Sequence, residues 1–268
     1  MNLQNKYIGI VQGRLTFSKQ LQKFPKNPFK EFQLARKLGY DFVELITERK
    51  FNKNNPIWSQ LGRKLLKEHA KKNGLKLLTA CDDFIISSGF NKKYLIYAQK
   101  LIKFLAELGI KKFILPLEGK ALVTKYNLKK TIFYLNKISK ICFNKNISYF
   151  LIESNCDFQI FKKIKNSIHK KKIFFLYDLG NRVEQYPNVY QDILKFSNNI
   201  KSIHLKDKNK YGDNVLIGKG NVNFNIAFKA IKRISQKNLS FCYENNRGKN
   251  PIFSAKKNIN LFKKLIKK

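Results

Sequence analysis

Acidic residues are scarce in this sequence of 268 residues: 17 Asp plus Glu stand against 55 Lys plus Arg, and the formal net charge is +38. Long apolar runs are missing too, since none approaches the roughly 18 to 20 residues that a membrane-spanning helix needs. The N-terminus has no signal-peptide core. The four cysteines are far apart and form no CxxC pair, so neither a zinc ribbon nor a disulfide framework is indicated. We therefore expect a soluble, cytoplasmic protein without a membrane partner.

Apolar side chains are plentiful, at 43% of the chain, with aromatic residues at 13%. This content supplies a large core and excludes intrinsic disorder despite the charge. No Gly-, Ser- or Pro-rich linker and no shift in composition divides the chain. The sequence therefore predicts one domain over residues 1–268.

The strong positive charge has two readings. Neutralised phosphates release counterions, so a charge of +38 favours a nucleic acid partner. However, only seven of the 55 basic residues are arginines, the residue that phosphate-reading surfaces favour for its bidentate fork. The lysines are spread along the whole chain among abundant Asn, Ile and Phe. This distribution favours a compositional bias with solvated lysines over a specific polyanion site, and no specific nucleic acid partner is expected.

Short β-rich runs alternate with amphipathic stretches along the chain. Between the runs, apolar residues recur at helical spacing, and Gly39, Gly74 and Gly109 mark helix ends. The predicted strands are Tyr7–Gln12, Asp41–Ile46, Leu75–Cys81, Lys112–Leu117, Ser148–Glu153, Ile173–Asp178, Ile200–Lys206 and Ser240–Asn245.

These eight strands follow one another at steps of about 25 to 39 residues, each step holding one strand, a loop and a helix. Eight consecutive units of this kind predict an α/β fold, a single (β/α)₈ TIM barrel, ahead of an open doubly wound sheet. Active sites in this fold form at the carboxyl ends of the strands. Polar residues that end apolar runs are therefore the candidates for function.

Each of the last four predicted strands carries such a polar residue at or near its end, directly after apolar residues: Glu153, Asp178, His204 and Glu244. An isolated buried carboxylate is costly unless something pairs with it. Three carboxylates and one imidazole from neighbouring strands have the composition of a divalent metal site with open positions for a substrate. The alternative is that the carboxylates form structural ion pairs with lysines and that His204 is a satisfied core histidine.

This order of residues resembles the xylose isomerase-like TIM barrel superfamily, in particular its sugar phosphate isomerase/epimerase branch. The resemblance extends from the first to the eighth strand. It is carried by the runs Ile8–Leu15, Asp82–Phe84, Tyr177–Asn181, Ile203–Lys208 and Leu216–Phe224. The His-Leu-Lys-Asp-Lys and Gly-Lys-Gly runs within the last two are its most specific part.

The resemblance implies that Glu153, Asp178, His204 and Glu244 bind one divalent cation, with Mn²⁺ expected first and Mg²⁺, Co²⁺ or Zn²⁺ as alternatives. It further implies a metal-bound enediolate, with Glu153 and Glu244 as catalytic acid and base on its two faces. Return of the proton to the same carbon is epimerisation, and return to the adjacent carbon is isomerisation. The expected partner is a sugar or sugar phosphate. Related barrels often dimerise, which leaves a homodimer open.

Four further residues are candidates for substrate binding. Lys206 lies two residues after His204 and would point to the same side, where it could stabilise an oxyanion; a tie to Asp207 is the alternative. Arg14 follows the first strand, where a substrate contact and a surface salt bridge are equally open. Arg247 lies in a loop region where barrels often bind phosphate.

The fourth candidate, Asn181, marks a departure from the family. Ketose 3-epimerases of the superfamily carry a histidine three residues after the aspartate of the sixth strand, and here that position is Asn181. The resemblance implies that an amide replaces the imidazole that usually contacts a substrate hydroxyl. The stereochemical outcome of those enzymes therefore does not transfer to this chain.

Three alternatives share the same barrel. A sugar or inosose dehydratase would expel a hydroxyl group where an epimerase returns the proton. An AP-endonuclease-like DNA repair enzyme would suit the charge, but it needs a histidine-rich three-metal cluster, and this chain has three histidines, two of which, His69 and His169, lie in lysine-rich helical stretches. A non-catalytic sugar-binding barrel is the third.

Overall fold

The structure is a computed structural model that describes residues 6–18, 24–234 and 238–267. Its strands are β1 (Tyr7–Val11), β2 (Phe42–Thr47), β3 (Thr79–Asp82), β4 (Lys112–Pro116), β5 (Tyr149–Glu153), β6 (Phe174–Asp178), β7 (Ile200–Leu205), β8 (Asp207–Lys208), β9 (Asn214–Val215) and β10 (Ser240–Tyr243). Its α-helices are α1 (Lys30–Leu38), α2 (Gln60–Lys72), α3 (Phe84–Ser88), α4 (Lys92–Glu107), α5 (Leu128–Asn144), α6 (Phe158–Ser167), α7 (Leu179–Val183), α8 (Val189–Phe196), α9 (Phe224–Arg233) and α10 (Pro251–Lys267). In the part of the chain so described, no helix combines the length and the apolar character needed to cross a membrane.

Eight of the strands form a closed barrel in the order β1-β10-β7-β6-β5-β4-β3-β2, with helices between them. The prediction of a single (β/α)₈ TIM barrel is confirmed, and each predicted strand has its counterpart. Strand β3 begins at Thr79, four residues later than predicted. Just before it, the carbonyl of Leu78 accepts hydrogen bonds from the backbone N–H groups of both Lys111 and Lys112, so the regular ladder with β4 starts only afterwards.

The predicted glycine stops are present as left-handed residues. Gly39, Gly74 and Gly109 have φ angles of 88°, 62° and 78°. Gly39 caps α1 by donating its N–H to the carbonyls of Ala35 and Arg36. A residue with a Cβ would be strained in this conformation, which explains glycine at these helix ends.

The chain divides into two compact units, residues 1–43, 73–75 and 175–268 in the first and residues 44–72 and 76–174 in the second. In the first unit, β1 pairs with β10, β10 with β7, and β7 with β6, all in parallel. In the second unit, β2, β3, β4 and β5 pair in sequence. One domain over residues 1–268 stays a prediction.

Aromatic side chains fill the interior of each unit. In the first, Phe175 and Phe196 pack with ring centroids 4.3 Å apart, and Phe228 stacks on Phe241 at 5.8 Å. In the second, Phe113 stacks on its strand partner Phe150 at 5.9 Å. Burial of these rings removes a large apolar area from water and so stabilises each unit.

Candidate metal centre and active site

Strand register brings three of the predicted site residues together in the first unit. Asp178 at the end of β6 pairs with His204 in β7, and His204 pairs with Cys242 in β10, two residues before Glu244. Carboxyl ends of parallel strands meet at one edge, so the three side chains converge. Asp178 and His204 are each 1% exposed and Glu244 is 6% exposed. The converging groups are therefore held almost wholly out of water.

The distances between these side chains are short. Nδ1 of His204 lies 3.1 Å from Oε2 of Glu244 and 3.8 Å from Oδ2 of Asp178. Each residue offers one ligand atom, and these three atoms lie within 4.8 Å of one another. Two carboxylates and an imidazole at this spacing could hold a divalent cation.

Lys206 lies in the middle of this group. Its Nζ is 2.8 Å from Oε2 of Glu244, 3.1 Å from Oδ2 of Asp178 and 3.5 Å from Oδ1 of Asn181. Gly180 makes room for it, since a Cβ there would lie only 2.9 Å from Cγ of Lys206. The lysine therefore faces the site carboxylates, as expected from its position two residues after His204.

Asp207 serves a different loop. Its carboxylate accepts hydrogen bonds from the backbone N–H groups of Gly218, Gly220 and Val222, at 2.8, 2.9 and 3.1 Å. In the Gly218-Lys219-Gly220 turn these glycine N–H groups, which could have bound a substrate anion, are thus directed to a carboxylate of the chain itself.

Arg14 forms a buried ion pair with the same glutamate. Its Nη2 lies 3.2 Å from Oε1 of Glu244, and the arginine side chain is 1% exposed. Burial alone would raise the pKa of the Glu244 carboxyl, but the charges of Lys206 and Arg14 and the hydrogen bond with His204 together hold this pKa well below its usual range. Of the two readings open at the sequence level, a surface salt bridge is excluded for Arg14.

Arg247 and Glu31 support the turn after β1. Nε of Arg247 donates to the carbonyl of Gly13 at 2.6 Å. Burial, followed by the nearby charge of Arg14, lowers the pKa of Arg247 to about 10, against the opposing effect of Glu31. Glu31, in the first turn of α1, is 1% exposed and accepts hydrogen bonds from the same turn.

The remaining candidates are placed as follows. Glu153 ends β5 in the second unit, where it is buried and pairs in register with Pro116 of β4. Asn181 lies in α7 and donates its backbone N–H to Oδ1 of Asp178 at 2.7 Å. His69 is half-buried in α2, and His169 is exposed.

The donor set fits a divalent cation on a further observation. Among the described residues, the buried Oδ2 of Asp178 has no partner with hydrogen-bond geometry, and the Lys206 ammonium, 3.1 Å away, faces it as an ion pair. Buried carboxylate oxygens are normally hydrogen-bonded or bound to a cation. This oxygen faces the Lys206 ammonium, so the geometry already directs it toward a positive charge.

Sequence reasoning missed Glu31 and the pair Arg182 and Asp192. Glu31 reads as an ordinary acid in a helix first turn, where the helix dipole favours it. Arg182 is 1% exposed, and its Nε lies 2.8 Å from Oδ2 of Asp192. The only sequence signal for this pair is that Arg182 follows the Asp178–Asn181 run, which does not predict a partner ten residues later.

The fold has close structural relatives. A D-psicose 3-epimerase from Clostridium cellulolyticum H10, solved with D-tagatose, has a TM-score of 0.77 at 14% identity, covering 97% of this chain and 99% of that one. A sugar phosphate isomerase/epimerase from Parabacteroides distasonis ATCC 8503 has a TM-score of 0.72 at 20% identity, covering 97% and 98%. A 3-keto-D-glucoside 4-epimerase from E. coli has a TM-score of 0.73 at 15% identity, covering 97% and 100%. At such identities the likeness establishes the fold.

Comparison by sequence gives a consistent result. No curated protein matches the chain. The profile of the family described as Xylose isomerase-like TIM barrel matches residues 32–265, which is most of the sequence. Together with the closed eight-stranded barrel, this match shows that the chain belongs to the xylose isomerase-like TIM barrel family.

Proposed function

We propose that this protein is a divalent-metal-dependent sugar isomerase or epimerase. The observation that carries the proposal is the buried group of Asp178, His204 and Glu244 at the carboxyl ends of three neighbouring barrel strands. Support comes from the structural relatives, whose names include a psicose 3-epimerase and a sugar phosphate isomerase/epimerase.

The proposed ligands are Asp178, His204 and Glu244, with Glu153 as the fourth. Glu153 ends β5 in the second unit and enters the ligand set through the family resemblance, which implies it as the fourth ligand. Three carboxylates and one imidazole suit Mn²⁺ first, and Mg²⁺, Co²⁺ or Zn²⁺ as alternatives. A divalent cation held by these residues would supply Lewis-acid chemistry for a sugar carbonyl.

The two glutamates are proposed to move the proton. One carboxylate removes it from the carbon beside the carbonyl, and the other returns a proton to the opposite face of that carbon or to its neighbour. Arg14, at 3.2 Å from Glu244, orients this carboxylate. The charges of Lys206 and Arg14 hold its pKa below the usual range, so it is present in the ionised form that can accept a proton. Both roles need the low exposure that the site provides, because water would compete for the proton.

The substrate is proposed to be a sugar with an anionic or readily polarised group. Lys206, Arg14 and Arg247 place three cationic side chains in the first unit, each at most 5% exposed. Lys206 would stabilise negative charge as it develops on oxygen. Asn181, already in contact with Lys206 through Oδ1, would contact a substrate hydroxyl.

The test is a panel of ketoses and ketose phosphates incubated in D₂O with Mn²⁺ and followed by NMR. Exchange of a carbon-bound hydrogen without loss of water is expected for at least one sugar, and Glu153→Gln and Glu244→Gln should each abolish it. Glu107→Gln, which removes a half-exposed carboxylate paired with Arg63, is the matched control.

Three outcomes would contradict the proposal. Loss of a hydroxyl group would identify a dehydratase. Full turnover by Glu153→Gln would remove the acid/base role of this residue. Hydrogen exchange that persists after complete removal of divalent ions would show that the reaction does not depend on a metal.

A further inference from the structure

The buried carboxylate of Glu31 accepts hydrogen bonds from the residues on both sides of Arg14. Oε2 of Glu31 accepts the backbone N–H of Gly13 at 2.5 Å, and Oε1 accepts the backbone N–H of Leu15 at 3.2 Å and the hydroxyl of Thr16 at 3.3 Å. Gly13 precedes Arg14 and Leu15 follows it. One side chain from α1 therefore fixes the backbone on either side of the arginine.

The same turn is held from two other directions. The N–H of Arg14 donates to the carbonyl of Val11 at 3.1 Å, and Gly13 has a φ of 88°, which glycine adopts without strain. Nε of Arg247 donates to the carbonyl of Gly13 at 2.6 Å. The backbone around Arg14 is thus anchored at three points, its side chain is 1% exposed, and Nη2 of its guanidinium lies 3.2 Å from Oε1 of Glu244.

Glu31 occupies this position at a cost. Burial raises the pKa of its carboxyl to about 7, although the N–H donors of Gly13 and Leu15, the hydroxyl of Thr16 and the charge of Arg247 all act to lower it. A buried acid with a raised pKa is typical of functional sites, and this one accepts three hydrogen bonds from a single turn.

We propose that Glu31 is a positioning residue, which acts through the Gly13–Thr16 turn to hold the guanidinium of Arg14 against Glu244. This inference rests on the proposed function in one respect, namely that Glu244 belongs to the active site. The contact between Arg14 and Glu244 can be measured without metal or substrate.

The test is a double-mutant cycle of Arg14→Met and Glu244→Gln, made once in the wild-type protein and once in the Glu31→Gln variant. The quantity measured for each protein is the unfolding equilibrium constant, from urea denaturation at pH 7.5. In the wild type, we expect the two changes to be coupled by about tenfold. In the Glu31→Gln background, the coupling should fall below about twofold. A purely structural Glu31 would lower the stability of all four proteins equally and leave the coupling unchanged, which would overturn the proposal.

Two further variants sharpen the result. Asp41→Asn is the matched control, since Asp41 accepts the backbone N–H of Ile8 at 2.8 Å at the opposite end of β1 and should leave the coupling unchanged. If Glu31→Gln does not fold, Thr16→Val removes one donor at a half-exposed position and should reduce the coupling by about half. An unchanged coupling with Thr16→Val would also overturn the proposal.

The outcome is separable from that of the proposed function. If the coupling between Arg14 and Glu244 is lost in the Glu31→Gln background and no sugar in the panel shows hydrogen exchange, the positioning role is established and the isomerase is rejected. If the coupling is unchanged in the Glu31→Gln background and a sugar does show exchange, the positioning role is rejected and the isomerase is supported.

Discussion

The ammonium nitrogen of Lys206 lies 2.8 Å from Oε2 of Glu244, and both side chains are less than a tenth exposed. Asp178 faces the same nitrogen at 3.1 Å. Two buried carboxylates thus converge on a cation that the chain itself supplies. Coulomb attraction at this distance offsets part of the cost of removing the charges from water, provided the pair stays intact.

Removal of the Lys206 ammonium should destabilise the fold. Lys206→Met leaves two buried carboxylates without this partner, and we expect a loss of about 3–5 kcal/mol in the free energy of unfolding. Urea denaturation at pH 7 measures it. Lys219→Met, at an exposed position in the Gly218–Gly220 turn, is the control and should change the value by less than about 0.5 kcal/mol. Equal effects of the two changes would contradict the role assigned to Lys206.

The proposed metal centre predicts a specific loss of metal affinity. His204→Gln removes an imidazole ligand, and we expect Mn²⁺ binding to weaken by more than about 100-fold, beyond the cost of losing an outer-shell partner. Isothermal titration calorimetry on metal-free protein measures the affinity. His169→Gln, at an exposed position, should bind as the wild type does. Equal Mn²⁺ affinity in both variants would remove His204 from the ligand set.

The buried pair of Arg182 and Asp192 should be among the costliest to break. Nε and Nη2 of Arg182 donate to the two oxygens of Asp192 at 2.8 and 3.1 Å, and the hydroxyl of Tyr177 also donates to it at 2.7 Å. Arg182→Met should therefore lower the free energy of unfolding by about 3–5 kcal/mol.

Arg182→Lys retains the charge but not the bidentate fork, so an intermediate loss is expected. Lys64→Met, in an exposed pair with Glu68, should cost less than about 0.5 kcal/mol. Chemical denaturation of the three variants under one condition decides between these values. A loss below 1 kcal/mol for Arg182→Met would contradict the prediction.

Glu31 should impose a pH dependence on stability. Its folded pKa is raised from 4.5 to about 7, so the stabilisation from its protonated form is fully present below pH 4.5 and is lost as the pH rises through about 7. Relative to Glu31→Gln, the wild type should lose about 3 kcal/mol of unfolding free energy over this range. Parallel urea titrations of both proteins between pH 5 and 8 test this. A difference that stays constant across the range would show that the pKa of Glu31 is not raised.

Much of the barrel could be predicted from the sequence because its signals are local. Alternation of apolar runs and glycine stops such as Gly39 depend on neighbouring residues, and they placed all eight barrel strands. Strand β3 was predicted too long because the apolar stretch from Leu75 continues past the point where pairing with β4 begins. Hydrophobicity shows which segments are buried, whereas a strand's first residue is decided by its partner's hydrogen bonds.

The site was predicted only in part for the same reason. Asp178 and Glu244 each follow an apolar run, and that local signal marks a strand end facing the barrel mouth. Glu31 carries no such signal, because its partners Gly13 and Leu15 lie in a turn that precedes it by 16 to 18 residues. Which acid is costly to bury depends on what surrounds it.

The sequence by itself determined the repeating strand and helix units, the barrel and the polar residues that end its last strands, since period and order are properties of the chain. Only the tertiary structure decided that Lys206 and Arg14 meet Glu244 and that Glu31 holds the turn of Arg14. Those contacts join residues up to 230 positions apart. They exist because parallel pairing of β1, β10 and β7 brings the carboxyl ends of these strands to one edge. Charged groups buried there are costly unless they pair with groups of opposite charge.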